Sequence, residues 1–255
     1  MPFQRAKIKA LEPGLFLIDD AGESTCYLLC GEKKALVIDS VNGRENLFDL
    51  CRTLTDLPLM VINTHGHGDH ILGNVYFSAA WMHPEDFPIA REHFGFAEPE
   101  MAPWGLKPCP LHPLPIGKEI DIGGEVIEIV SLRGHTPGSI GLLSRKRRLL
   151  FSGDGLNSHL WMQLDHSLPI SALRSTILTL KSQYGHCFDR LLMGHAQDYT
   201  DGALIDQLLQ GCDDLLSGKR EKDTPYHYFG GDCLQHPISD IPGQCIVYTE
   251  NKLNG

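Results

Sequence analysis

The sequence predicts an α/β protein, a four-layer α/β/β/α sandwich in which two sheets pack face to face with helices outside. Two observations carry this. Short apolar runs of strand length, at 35–38, 59–62, 140–144, 149–152 and 190–193, are bounded by Gly, Pro, Asn or Asp. Stretches with an apolar stripe at helical spacing interrupt them, and that order occurs twice along the chain. A length of 255 residues suits one substantial core, and one domain over 1–255 is expected.

In order, 6–8, 15–18 and 26–30 read as strands separated by Pro13-Gly14, Ala21-Gly22 and Gly31. The run at 35–38 is apolar throughout, as in a strand covered on both faces. A helix follows, with Asn42 as its cap, Glu45 completing a capping box, and Leu47, Leu50, Cys51 and Leu54 on one face. Strands at 59–62 and 79–82 come next. From 84 to about 118 eight of the sixteen prolines collect among Phe87, Phe94, Phe96, Met101 and Trp104, which reads as a lid-like loop with apolar anchors. Further strands are expected at 126–132, 140–144, 149–152, 190–193 and 245–249, and helices at 171–184 and 203–216. Arg145, Lys146, Arg147 and Arg148 fall between two strands and read as a solvated hairpin turn.

The formal net charge of −10 disfavours nucleic acid and anionic membrane as partners. No apolar run approaches the length of a membrane span. The N-terminus has no secretory apolar region, and the eight cysteines form no Cys-x-x-Cys pair, so a reduced, cytoplasmic setting is expected. The expected partner is a small-molecule substrate; the sequence leaves a homodimer open.

The chemistry is concentrated in His65-x-His67-x-Asp69-His70, directly after the strand at 59–62. Residues two apart in a turn can converge on one cation, and an adjacent Asp-His pair can hold a second. Three more glycine-flanked positions follow apolar runs: Gly134-His135-Thr136, Gly153-Asp154 and Gly194-His195.

Together with Asp39 after its strand, this ordered set resembles the metallo-β-lactamase-fold hydrolase superfamily, on its hydroxyacylglutathione hydrolase and lactonase-like side. The resemblance implies the αβ/βα sandwich, with the metal site at one edge between the sheets. It also implies a first metal held by His65, His67 and His135, and a second by Asp69, His70 and His195, with Asp154 bridging. Asp39 would brace the histidine loop. Two divalent ions per chain are implied, zinc first, with iron or manganese also accepted by such ligands. His67, where flavodiiron oxygen reductases carry Glu, points to a hydrolytic centre. Asp154, and the lack of a cysteine at any motif position, point away from a dedicated β-lactamase.

The expected reaction is hydrolysis of a small-molecule ester, thioester or lactone by a metal-bridging hydroxide, with Asp69 orienting the nucleophile and accepting its proton. The alternatives are a mononuclear iron oxidoreductase similar to sulfur dioxygenases, a phosphodiesterase, and a metal-dependent ligand sensor. Candidate substrate contacts are Trp104, Asn157, His159 and Trp161, with Met101 and Met162. His83 is expected to be structural, and His93, His112, His186, His227 and His236 to be ordinary surface or loop residues.

Overall fold

The computed structural model describes residues 6–253. The first five residues, on which part of the reading of the N-terminus rests, lie outside them. The first half runs β1 (Lys7–Glu12), β2 (Leu15–Asp20), β3 (Ser24–Cys30), β4 (Ala35–Ile38), α1 (Leu47–Arg52), β5 (Leu59–Ile62), α2 (Gly68–Ile71), β6 (Ala80–Met82), α3 (Phe87–Met101) and β7 (Leu111–Pro113). The second runs β8 (Glu119–Asp121), β9 (Val126–Ser131), β10 (Ile140–Ser144), β11 (Leu149–Gly153), β12 (His159–Trp161), α4 (Ile170–Tyr184), β13 (Arg190–Met193), β14 (Thr200–Asp201) and α5 (Leu204–Ser217). A tail of β15 (Thr224–Tyr228), β16 (Gly231–Pro237) and β17 (Cys245–Tyr248) closes the chain.

Strands β1 to β7 form one sheet in chain order, antiparallel as far as β4 and parallel from there. The second sheet has the order β14-β13-β11-β10-β9-β8, with β11 and β13 parallel. Alternation along the strands assigns the layers. Leu15, Leu17, Tyr27, Leu29, Leu36 and Ile38 point inward and meet Ile127, Ile129, Ile140, Leu142, Leu149 and Phe151 of the opposite sheet. The intervening Ile18, Cys26, Leu28, Ala35 and Val37 face outward, against Leu47, Leu50 and Cys51 of α1. Leu173, Ile177 and Leu180 of α4 and Leu204, Leu208, Cys212 and Leu215 of α5 cover the other outer face through Leu143 and Leu150. The four-layer α/β/β/α sandwich is thus present.

Three details differ from the sequence reading. The first helix is capped by Asn46, whose side chain accepts from Asp49 N at 3.2 Å; Glu45 accepts from Ala6 N instead of closing a box with Asn42. The segment 84–118 is not a loop but holds the fifteen-residue α3 and the edge strand β7. Several of its prolines sit where no backbone donor is needed: Pro88 in the first helical turn, Pro103 at the start of a short 3₁₀ turn, Pro113 on a sheet edge; Pro99 lies inside α3 itself. Finally, the tail builds a third sheet of order β12-β17-β16-β15, of which the sequence had suggested only the last strand.

The basic turn is a hairpin turn between β10 and β11, and its arginines are paired. Arg145 reaches Glu128, Arg147 reaches Glu125 and Glu12, and Arg148 reaches Asp189. No helix among the described residues is long and apolar enough to cross a membrane.

Candidate metal centre

The loops that follow β4 and β5 in one sheet meet the loops that follow β9, β11 and β13 in the other, at one edge of the sandwich. Backbone bonds lock the junction: Thr25 N donates to Gly194 O at 2.8 Å, and Ile140 N to Thr64 O at 2.8 Å. This edge gathers all seven motif residues.

His65, His67 and His135 place one ring nitrogen each within 4.8 Å of one another, as do ligand atoms of Asp69, His70 and His195. His67 Nδ1 and His135 Nε2 are 2.9 Å apart. One carboxylate oxygen of Asp154, Oδ2, stands between the two triads. It is 3.1 Å from His195 Nε2, 3.5 Å from His70 Nε2 and 3.9 Å from His135 Nε2. Asp69 Oδ2 lies 3.3 Å from His70 Nε2 and 3.5 Å from His195 Nε2. Gly194 allows this approach, because a Cβ there would lie 2.4 Å from Asp154 Oδ1 and 2.5 Å from His70 Cε1.

The outer ring nitrogens set the direction of the inner ones. His135 Nδ1–H donates to Trp161 O, His195 Nδ1–H to Glu23 O, and His70 Nδ1–H to Asp39 Oδ2. Each leaves its Nε2 turned toward the centre. His65 is held through Thr64: its Nδ1 lies 3.1 Å from Thr64 Oγ1, which donates to Asp39 Oδ2. His65 Nε2 and His70 Nε2 are buried and make no hydrogen bond. A buried polar nitrogen left unpaired costs about 1–3 kcal/mol, and here each triad holds one. That donor set suits divalent cations that take nitrogen and carboxylate ligands, so the residues fit the metals their pattern implies.

A third grouping, Asp39 with His65 and His70, also has its ligand atoms close together. Asp39 is already committed, however. Its Oδ1 accepts Thr64 N at 2.7 Å, and its Oδ2 accepts both Thr64 Oγ1 and His70 Nδ1. It therefore braces both triads, from a backbone position at φ +62° that Asp tolerates better than most residues.

The electrostatics separate the triads. Burial, then the neighbouring imidazoles, hold His65 and His67 well below the usual histidine range, and burial also lowers His135. These rings are neutral and ready to donate. Asp154 pushes His195 up to about 9. At His70 burial opposes the proton, but Asp69, Asp154 and Asp39 outweigh it and raise the ring well above its ordinary value. Burial likewise opposes the charge on Asp154, yet His195 and His70 hold it well below the carboxylate range.

The centre forms the floor of a cavity of about 710 Å³. Asn157, His159 and Trp161 line it, as the sequence suggested. Asn157 also donates Nδ2–H to Asp154 Oδ1 at 3.2 Å, orienting the carboxylate that stands between the triads. Trp104 does not line this cavity; it follows α3 and is 56% exposed. Met162 is in the core under α4, and Met101 lines a separate hollow on another side of α3.

Sequence reasoning missed His93 and Asp86. His93 lines the cavity with its ring 5.3 Å from that of His67. No motif marks it; its only signal was the helical phase that a proline-rich stretch concealed. Asp86, fully buried before α3, accepts Gly66 N, Gly138 N and Thr136 Oγ1, so one carboxylate ties together two ligand loops. His236, expected at the surface, is buried against Asp223, whereas His83 caps a short 3₁₀ turn as a structural residue would.

A model of the metallo-beta-lactamase superfamily matches residues 19–191, about two thirds of the chain. The chain belongs to the metallo-beta-lactamase superfamily. Among curated relatives, the chicken acyl-coenzyme A thioesterase MBLAC2 is 27% identical over 94% of this chain and 92% of its own. The Haemophilus influenzae hydroxyacylglutathione hydrolase GloC is 30% identical over 71% of this chain and 90% of its own. Among solved structures, a metallo-beta-lactamase from Pontibacter korlensis aligns with a TM-score of 0.63 at 15% identity, covering 82% of this chain and all of its own, which shows the shared fold. With this membership and these relatives, the metallo-beta-lactamase-fold chain is a metal-dependent hydrolase.

Proposed function

We propose that this chain hydrolyses thioesters with two divalent metal ions, zinc first, held by His65, His67 and His135 and by Asp69, His70 and His195. The carrying observation is the Asp154 carboxylate standing between two pre-oriented ligand triads on the floor of a cavity. Two relatives named for thioester substrates, matched over most of their own length, support the choice of bond.

When bound, such ions polarise a carbonyl and make a water nucleophilic near neutral pH. The protein's own residues do the rest. The Nδ1–H bonds to Trp161 O, Glu23 O and Asp39 fix the ligand rings before metal arrives, so little reorganisation accompanies the reaction. Asp69 is on the cavity wall with its side chain partly exposed, placed to orient a water and take its proton. A thiolate, with a conjugate acid near pKa of about 8.5, departs without prior protonation, so no acid residue has to reach the leaving sulfur.

The test is turnover by zinc-loaded protein over matched acyl thioesters, oxygen esters and lactones. Thioester hydrolysis that disappears with a chelator and returns with zinc supports the reading. Hydrolysis of lactones or oxygen esters, with thioesters left intact, overturns it.

A further inference from the structure

Strands β15, β16 and β17 lie beyond residues 19–191, the part that matches the family model, yet the β15–β16 hairpin builds a wall of the cavity. Strand β12 joins these strands by pairing in parallel with β17, so that Trp161 opposes Val247. Around Trp161 stand Tyr226, Tyr228 and Phe229, with ring centroids 6.3, 5.7 and 5.9 Å away. Tyr228 and Phe229 also touch each other at 5.5 Å. Trp161 is therefore the hub of an aromatic cluster, and its carbonyl holds ligand His135.

Two local features turn this cluster toward a ligand. His159 Nδ1–H donates to Gly243 O, so its Nε2 accepts the Tyr226 hydroxyl at 3.2 Å, and the polar end of Tyr226 is satisfied within the protein. The β15–β16 hairpin turns at Phe229-Gly230, where a Cβ on Gly230 would lie 2.4 Å from the Tyr228 ring. The tight turn leaves Phe229 at 90% exposure on the cavity rim, apolar surface that gains from being covered.

Charge narrows the choice of ligand. Glu92 and Asp165 line the cavity, and its lining among the described residues includes neither lysine nor arginine. An anionic acyl group or a carrier phosphate would meet the Glu92 and Asp165 carboxylates there with no lysine or arginine to offset them. An uncharged apolar group would meet rings. The volume of about 710 Å³ is in the usual range for small-molecule sites.

We propose that the C-terminal hairpin, through Tyr228 packed edge-on and Phe229 packed at a tilt against Trp161, is the acyl-binding wall: it takes an uncharged apolar acyl chain and leaves the thiol carrier outside. This rests on the thioester reading above and adds the acyl class to it.

The test uses zinc-loaded full-length protein and neutral N-acetylcysteamine thioesters bearing acetyl, butyryl, octanoyl and succinyl groups. The wild type is expected to rise in kcat/KM from acetyl to octanoyl and to disfavour the anionic succinyl group against butyryl by about tenfold or more. Phe229→Ala is expected to lower the octanoyl-to-acetyl ratio by about tenfold, chiefly through KM, and Phe229→Leu to restore part of it. Octanoate binding, followed by calorimetry, is expected to weaken in the same order. A flat chain-length profile, or Phe229→Ala lowering all substrates equally, overturns the acyl wall while leaving thioester hydrolysis intact. Octanoate binding that depends on Phe229, in a protein that cleaves no thioester, overturns the thioester reading and leaves the wall standing.

Discussion

Asp39 Oδ2 accepts the Nδ1–H of His70 at 3.1 Å and the hydroxyl of Thr64 at 2.8 Å, so one buried carboxylate sets the orientation of rings in both ligand triads. Asp39→Asn keeps a residue that tolerates φ +62° but removes the charge and one acceptor. Zinc affinity is expected to fall by about 10–100-fold with the fold retained. Competition with a chromophoric chelator measures it; unchanged affinity would contradict the bracing role.

The triads should load with different pH dependence. His65, His67 and His135 all lie below the usual histidine range, so above neutral pH they bring no proton for a cation to displace. His195, at about 9, and the raised His70 must each lose one. Protons compete below these values, so affinity at the Asp69–His70–His195 triad should climb as pH rises toward about 9, while the other triad stays nearly level. Calorimetry in buffers of differing ionisation heat reads the protons released. Equal release at both steps would contradict the assignment. The same sign holds for metal-free stability: what His195 contributes is fully present below about 6.5 and is lost as pH rises through about 9.

Asp86 accepts two loop amides and the Thr136 hydroxyl from one buried position. Asp86→Ala would leave those donors unpaired, at about 1–3 kcal/mol for each group that water does not reach. Urea unfolding of metal-free protein should show the loss, and zinc binding should weaken with it, since both loops carry ligands. Asp86→Asn, which keeps one acceptor oxygen, should fall between.

Between the sheets, Phe151 is fully buried and meets the ring of Tyr27 edge-on at 5.4 Å. Phe151→Ala is expected to cost about 3–5 kcal/mol, read as a lower urea midpoint. A loss under about 1 kcal/mol would mean the inter-sheet layer collapses around the gap.

The sandwich was readable because alternation along β2, β3 and β4 carries two apolar faces, and the candidate centre because the side chains that gather there follow strand ends beside glycines. The ligand motif is local in sequence, so His65 to His70 announces itself. Asp86 was invisible because it acts by joining Gly66 to Gly138, a contact only the tertiary fold creates. Helix α3 was hidden by Pro88 in its first turn and Pro99 inside it, and with it went the position of His93. The aromatic wall was unreadable for a similar reason. Tyr226, Tyr228 and Phe229 reach Trp161 only after β17 pairs with β12, across some 85 residues of chain.

In the proposed centre, Asp154 joins two cation sites into one. Metal content per chain, measured beside thioester turnover on wild type and on His67→Ala and Asp154→Ala, tests it most directly. Two divalent ions per wild-type chain are expected. Each variant is expected to lose metal and turnover together, by more than the loss of about 100-fold expected for a residue that only supports a ligand. One iron per chain without hydrolysis, or full turnover in a His67→Ala protein that keeps both ions, would contradict it.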